Sequence, residues 1–162
     1  MKKVLLFAVF LIFATADIYA QVTSAVAAKI GAVTELSASG TKDAGVFNFT
    51  TVAELTDGLT LSDVFTLTAK SNKPYYISVK AAAANFSGGT AEGPLSVGKL
   101  SVSTDGTTFL PLTALDQKLI GSSTNEIRGT KNYPIHYKMV PGFDVAPAQD
   151  YSTTLTYTIT AP

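Results

Sequence analysis

The sequence predicts an all-β fold: a single immunoglobulin-like β-sandwich of about seven to nine antiparallel strands, after an N-terminal signal peptide. Three observations carry this. The chain opens on an apolar run too short to span a membrane; most of the remaining chain alternates apolar and polar residues; and Gly, Asn, Asp or Pro separate the alternating segments.

Met1, Lys2 and Lys3 form a basic start, Val4 to Ala14 is continuously apolar, and Thr15 to Ala20 leads to Gln21 with a small residue before the cut. That is the layout of a secretory signal peptide. A membrane span needs about 20 apolar residues, and Asp17 breaks this run. Cleavage after Ala20 predicts a signal peptide over 1–20 and one β-sandwich domain over 21–162; a retained N-terminal anchor is the alternative. The expected address is the periplasm, cell surface or medium, with no stable membrane insertion after cleavage.

Removing Lys2, Lys3 and Asp17 from 12 basic and 12 acidic residues leaves a net charge near −1. No basic stripe is available to neutralise phosphates, which argues against nucleic acid as a partner. The chain has no cysteine, so disulfides, thiol nucleophiles and thiolate-held metals are excluded. The fold must rely on packing and strand pairing.

Val22 to Leu36 reads two ways. Val22, Val26, Ile30 and Val33 line one face of a helix, whereas Val22, Ser24, Val26, Ala28, Ile30 and Ala32 alternate as a strand. Gly31 costs a helix interior about 1 kcal/mol, which favours the strand. Val46 to Phe49 is a shorter strand candidate. Val64 to Ala69 places Phe65, Leu67 and Ala69 on one side. Tyr75 to Ala81 places Tyr75, Ile77 and Val79 on one side and Tyr76, Ser78 and Lys80 on the other. Asn72-Lys73-Pro74 between them reads as a hairpin turn. Leu100 to Ser103 runs into the turn signal Asp105-Gly106. Tyr133 to Val140 puts Ile135, Tyr137 and Met139 on one face, and Pro134 and Pro141 predict that this strand lies at an edge or is bounded by them. Ser87 to Pro94 and Gly121 to Lys131 read as loops. The clearest strand is the last, with Leu155, Tyr157 and Ile159 facing a core and Thr154, Thr156, Thr158 and Thr160 facing water.

Little in the sequence points to catalysis, and no cofactor or metal site is expected. His136 is the only histidine and no Gly-x-Ser-x-Gly elbow is present. Asp57-Gly58 and Asp105-Gly106 each offer one carboxylate, fewer than a calcium loop requires. The sequons Asn48-Phe49-Thr50 and Asn85-Phe86-Ser87 are short matches. Outward-facing aromatic residues are the more useful candidates, because an aromatic ring pairs an apolar face with a polar tip suited to sugars. Tyr76, Tyr133 and the nearby His136 are the candidate ligand contacts.

The closing stretch Tyr151 to Pro162 resembles the last strand of WxL-type bacterial surface domains, which end in Tyr-x-x-x-Leu-Thr-Trp-x-Leu and then Ala-Pro. The positions matching the two Trp-x-Leu motifs are Tyr75-Tyr76-Ile77 and Tyr157-Thr158-Ile159, with tyrosine for tryptophan and isoleucine for leucine. The stretch is equally similar to spore-coat-protein-U-like and other pilin-like secreted domains. The resemblance implies a β-sandwich without catalysis and a role in the cell envelope or surface fibres; its WxL branch also implies non-covalent attachment to peptidoglycan, with Tyr75, Ile77, Tyr157 and Ile159 at the WxL-like motif positions. Two functions are then expected. One is a structural subunit or adhesin that self-associates, or binds other envelope proteins, by strand pairing, with Val22 to Ala32 either donating a strand or forming the first strand of its own domain. The other is a module binding envelope glycans, peptidoglycan or polysaccharide.

Overall fold

The computed structural model describes residues 27–40, 45–88, 94–121, 127–145 and 151–162. The expected signal peptide at 1–20 and residues 21–26 lie outside them. The strands belong to one compact unit, Gly31–Pro162.

The fold is an all-β sandwich of two antiparallel sheets. Its strands are β1 (Thr34–Ser39), β2 (Leu59–Ser71), β3 (Tyr76–Ala81), β4 (Leu100–Ser103), β5 (Leu110–Pro111), β6 (Gln117–Ile120), β7 (Gly129–Met139) and β8 (Leu155–Thr160). One sheet has the order β1-β2-β7-β4-β5 and the other β6-β3-β8. The run β1-β2-β7-β4 follows the A-B-E-D order of an immunoglobulin constant-type sheet, and β3 beside β8 follows its C-F pair. The place of the seventh strand, on the outer side of β8, holds no strand among the described residues.

Period-two alternation decides the faces. Leu67, Ala69, Ile77, Val79, Val102 and Ile135 are buried between the sheets, joined by Leu95 and Leu112 from the connections. At about 25 cal/mol per Å² of apolar surface removed from water, this core is the main source of stability in a chain without disulfides.

Several expectations change. Asn72-Lys73-Pro74 is not a hairpin turn, since β2 and β3 belong to different sheets. Two adjacent strands that each bury one face can satisfy it by pairing or by facing one another, and here they face one another. β7 is not an edge strand but lies between β2 and β4. Val140 donates its main-chain N–H to Lys99, so the even-numbered residues of β7 point toward β4. β4 stops at Ser103, opposite His136. The nitrogen of Pro134 therefore faces a position where no strand is present to require a donor.

Val46 to Phe49 forms no strand; Phe47 and Phe49 stack with centroids 6.0 Å apart. The next residues form a short helix, α1 (Val52–Asp57), that the alternation did not reveal. Its signal is the pair Thr51 and Glu54, a capping box in which Thr51 Oγ1 accepts from the Glu54 N–H at 3.2 Å and Glu54 accepts from the Thr51 N–H at 2.9 Å. The main-chain N–H of Thr50, which also donates to Glu54, and then that of Thr51 hold the Glu54 carboxyl below the usual carboxylate range. Of the segment Val22 to Leu36, residues 22–26 lie outside the described residues, Ala27 to Val33 hold no strand, and Thr34 to Leu36 fall in β1. β6 rises from the region before the Gly121 loop, and β7 begins at Gly129, inside that loop.

Candidate functional site

Tyr76, Tyr133 and His136 do not converge. Tyr76 lies on the outer face of the three-stranded sheet, where the Lys118 ammonium sits 4.6 Å from its ring centroid. Tyr133 is opposite the buried Leu67, so its ring belongs to the inner face of β7. Its hydroxyl is 3.1 Å from that of Tyr75, and burial first, then Tyr75, raises its ionisation far above the ordinary phenol range. It is not the outward-facing contact expected.

His136 is not an exposed contact either; it is only 9% exposed. β2 bulges between Leu61 and Phe65, and Asp63 takes φ 52° there. The bulge lets the Asp63 main-chain N–H donate to His136 Nδ1 at 3.2 Å. The turn at Gly106 covers the ring from the other side.

Ser103 stands opposite His136 in the β4–β7 ladder, and Asp105 is two residues on. This brings a serine, a histidine and carboxylates together, and their hydrogen bonds decide what they do. Ser103 Oγ donates to Asp105 Oδ1 at 2.8 Å and accepts from the Asp105 and Gly106 N–H groups. The Thr108 and Thr107 N–H groups, then Ser103, hold the Asp105 carboxyl well below the usual range. His136 Nδ1 is occupied as an acceptor, which puts the ring proton on Nε2, 3.8 Å from Asp63 Oδ1. A histidine in that tautomer offers Ser103 no base. The arrangement locks a turn over the sheet.

The four positions matched to WxL motifs lie on the core side. Ile77 pairs with Ile159, and Val79 with Tyr157. The two tyrosines among them each reach a tyrosine of β7 across the sandwich: Tyr75 to Tyr133, and Tyr157 to Tyr137 with hydroxyls 2.9 Å apart. Phe65 meets the Tyr157 ring edge-on at 83°, centroids 5.8 Å apart. Burial raises the ionisation of Tyr157 and Tyr137, so both hydroxyls stay protonated at physiological pH. These are clasps between sheets. Either Tyr137→Phe or Tyr157→Phe alone leaves a hydroxyl unpaired and should cost about 1–2 kcal/mol. The double substitution should cost less than the sum, which urea unfolding of all four proteins would measure.

Sheet edges are the other candidate. The four edge strands differ in how they are protected. β5 is two residues long and ends in Pro111. β6 carries Lys118 and an irregular register against β3. β1 carries Glu35, paired with Lys70 at 3.4 Å. β8 has none of these: it runs for six residues as Leu-Thr-Tyr-Thr-Ile-Thr, uncharged and without a bulge. Ala82 donates to Thr154, so alternation of the ladder turns the main-chain groups of Thr156, Thr158 and Thr160 toward β3 and those of Leu155, Tyr157 and Ile159 outward. The side chains of those last three are only half-buried, whereas Ala81, Val79 and Ile77 opposite them are buried.

No group of three or more His, Cys, Asp or Glu suited to a metal occurs among the described residues. No helix among them is long and apolar enough to cross a membrane. Comparisons with protein-family models and with curated proteins found no match to the chain.

Proposed function

We propose that this chain is an exported, non-catalytic structural subunit or adhesin of the cell surface or its fibres, and that its copies join by strand pairing along β8. The observation that supports the reading is the edge of β8, which has no strand partner among the described residues and where outward main-chain groups and half-buried apolar side chains belong to the same three residues, Leu155, Tyr157 and Ile159. An added strand would satisfy both, because main-chain hydrogen bonds supply affinity and alternate side chains supply register. Natural sheets protect such edges with charge, proline or a bulge; β8 has the composition of an edge meant to be covered.

The segment before β1 suits the incoming strand. Ala27 to Val33 belongs to no strand, and its apolar residues Ile30 and Val33 are 85% and 61% exposed. Ala28, Ile30 and Ala32 are the last positions of the alternation that starts at Val22. Light scattering on residues 21–162 should detect species larger than a monomer, and removing residues 21–33 should reduce them to monomers while β1 is retained. A monomer in both forms would sink the proposal.

A further inference from the structure

The outer face of the three-stranded sheet forms a trough of about 550 Å³. Three cross-strand rows build it: Tyr76 with Thr160; Lys118, Ser78 and Thr158; and Lys80 with Thr156, closed by Asp116. Ser78, small and central, is 8% exposed and makes the floor. The longer side chains at either end of β3, Tyr76 and Lys80, make the walls. Along the strand the rows from Tyr76 to Lys80 span about 13 Å.

Every lining side chain ends in a polar or charged group. The lining holds hydroxyls, two ammonium groups, one carboxylate and one phenol, with no aliphatic side chain. Lys80 is ion-paired with Asp116 at 3.5 Å. Lys118 sits over the Tyr76 ring, and no carboxylate is paired with it among the described residues. The trough therefore carries a net positive charge that Asp116 only half offsets, in a chain whose overall charge is zero. An apolar protein surface would bury these groups without partners, at a cost. A chain of hydroxyls bearing carboxylates would meet each of them with one.

We infer that this trough binds an acidic polysaccharide, a chain of sugars carrying uronate-type carboxylates. Lys118 pairs with a carboxylate, Ser78, Thr156 and Thr158 exchange hydrogen bonds with sugar hydroxyls, and the Tyr76 edge bounds the site. The inference stands apart from strand pairing, which uses the edge of β8 and not its outer face.

The test is affinity electrophoresis of the full chain in gels containing polygalacturonate, neutral dextran or polyglutamate. Polygalacturonate should retard the protein; dextran and polyglutamate should not. Lys118→Glu should weaken retardation about tenfold or more, and so should Thr158→Tyr, which fills the trough without changing charge. Lys131→Glu, the same charge change on the five-stranded sheet, should leave it unaltered. No retardation by polygalacturonate overturns the inference. So does equal retardation by polyglutamate or dextran, or an equal loss in Lys131→Glu. Any of these leaves the light-scattering result untouched.

Discussion

Alanine in place of Ile77 is expected to destabilise the protein by about 3–5 kcal/mol, the largest effect of any single truncation in the three-stranded sheet. Ile77 is fully buried. It sits on the central strand, with Ile159 opposite on β8 and Ile120 opposite on β6. Both neighbours are held by ladders, so the wall cannot collapse into the space left, and a cavity adds its cost to the lost transfer energy. Ile159→Ala removes the same atoms from an edge strand where the side chain is half-buried, and should cost about half as much. Urea unfolding of the two variants compares them directly. Equal losses would mean that the β8 edge is as closed as the sheet centre, and would weigh against an added strand there.

The second large effect is expected at Gly58, which caps α1 and turns the chain into β2. Its φ is 81° and its ψ 173°, a conformation essentially reserved for glycine. A Cβ there would stand 2.5 Å from both the Met139 carbonyl oxygen and Val140 Cγ2. The carbonyl belongs to the main chain at the end of β7 and cannot rotate away. Strain of about 1–3 kcal/mol and overlap of about the same size together make Gly58→Ala cost about 3 kcal/mol or more. Gly129 also has positive φ, 87°, but nothing lies within 4 Å of an added Cβ. Gly129→Ala should therefore show the strain without the clash, about 1 kcal/mol. Thermal unfolding of both variants separates the two causes; similar losses would refute the proposed clash.

Both expectations rest on the way alternation meets tertiary contact, and the candidate sites divide along the same line. The outer face of β3 could be read directly: Tyr76, Ser78 and Lys80 alternate with Tyr75, Ile77 and Val79, and each set took the expected side. Nothing in the sequence showed that Lys118 and Asp116 would join them, because β6 is a four-residue strand with no long alternation of its own. The unprotected edge had a sequence signal in the threonine-rich closing strand, but which strand lies at an edge depends on partners far along the chain. The buried setting of His136 had no local signal at all: it requires the bulge at Asp63, 73 residues away.

By itself the sequence determined the fold class, the two faces of β3 and β8, the sides shared by Phe65, Leu67 and Ala69 on β2 and by Ile135, Tyr137 and Met139 on β7, and the absence of disulfides, because period-two burial and residue chemistry are local properties; it misplaced Tyr133 and His136. Tertiary structure alone decided which strands pair. It sent β2 and β3 to opposite sheets, placed Pro134 in a central strand beyond the end of β4, closed the tyrosine clasps and left β8 without a second strand partner among the described residues. The physical reason is that an amphipathic strand specifies which face must be buried, while its neighbours are selected by the shape and hydrogen-bonding edges of strands distant in sequence.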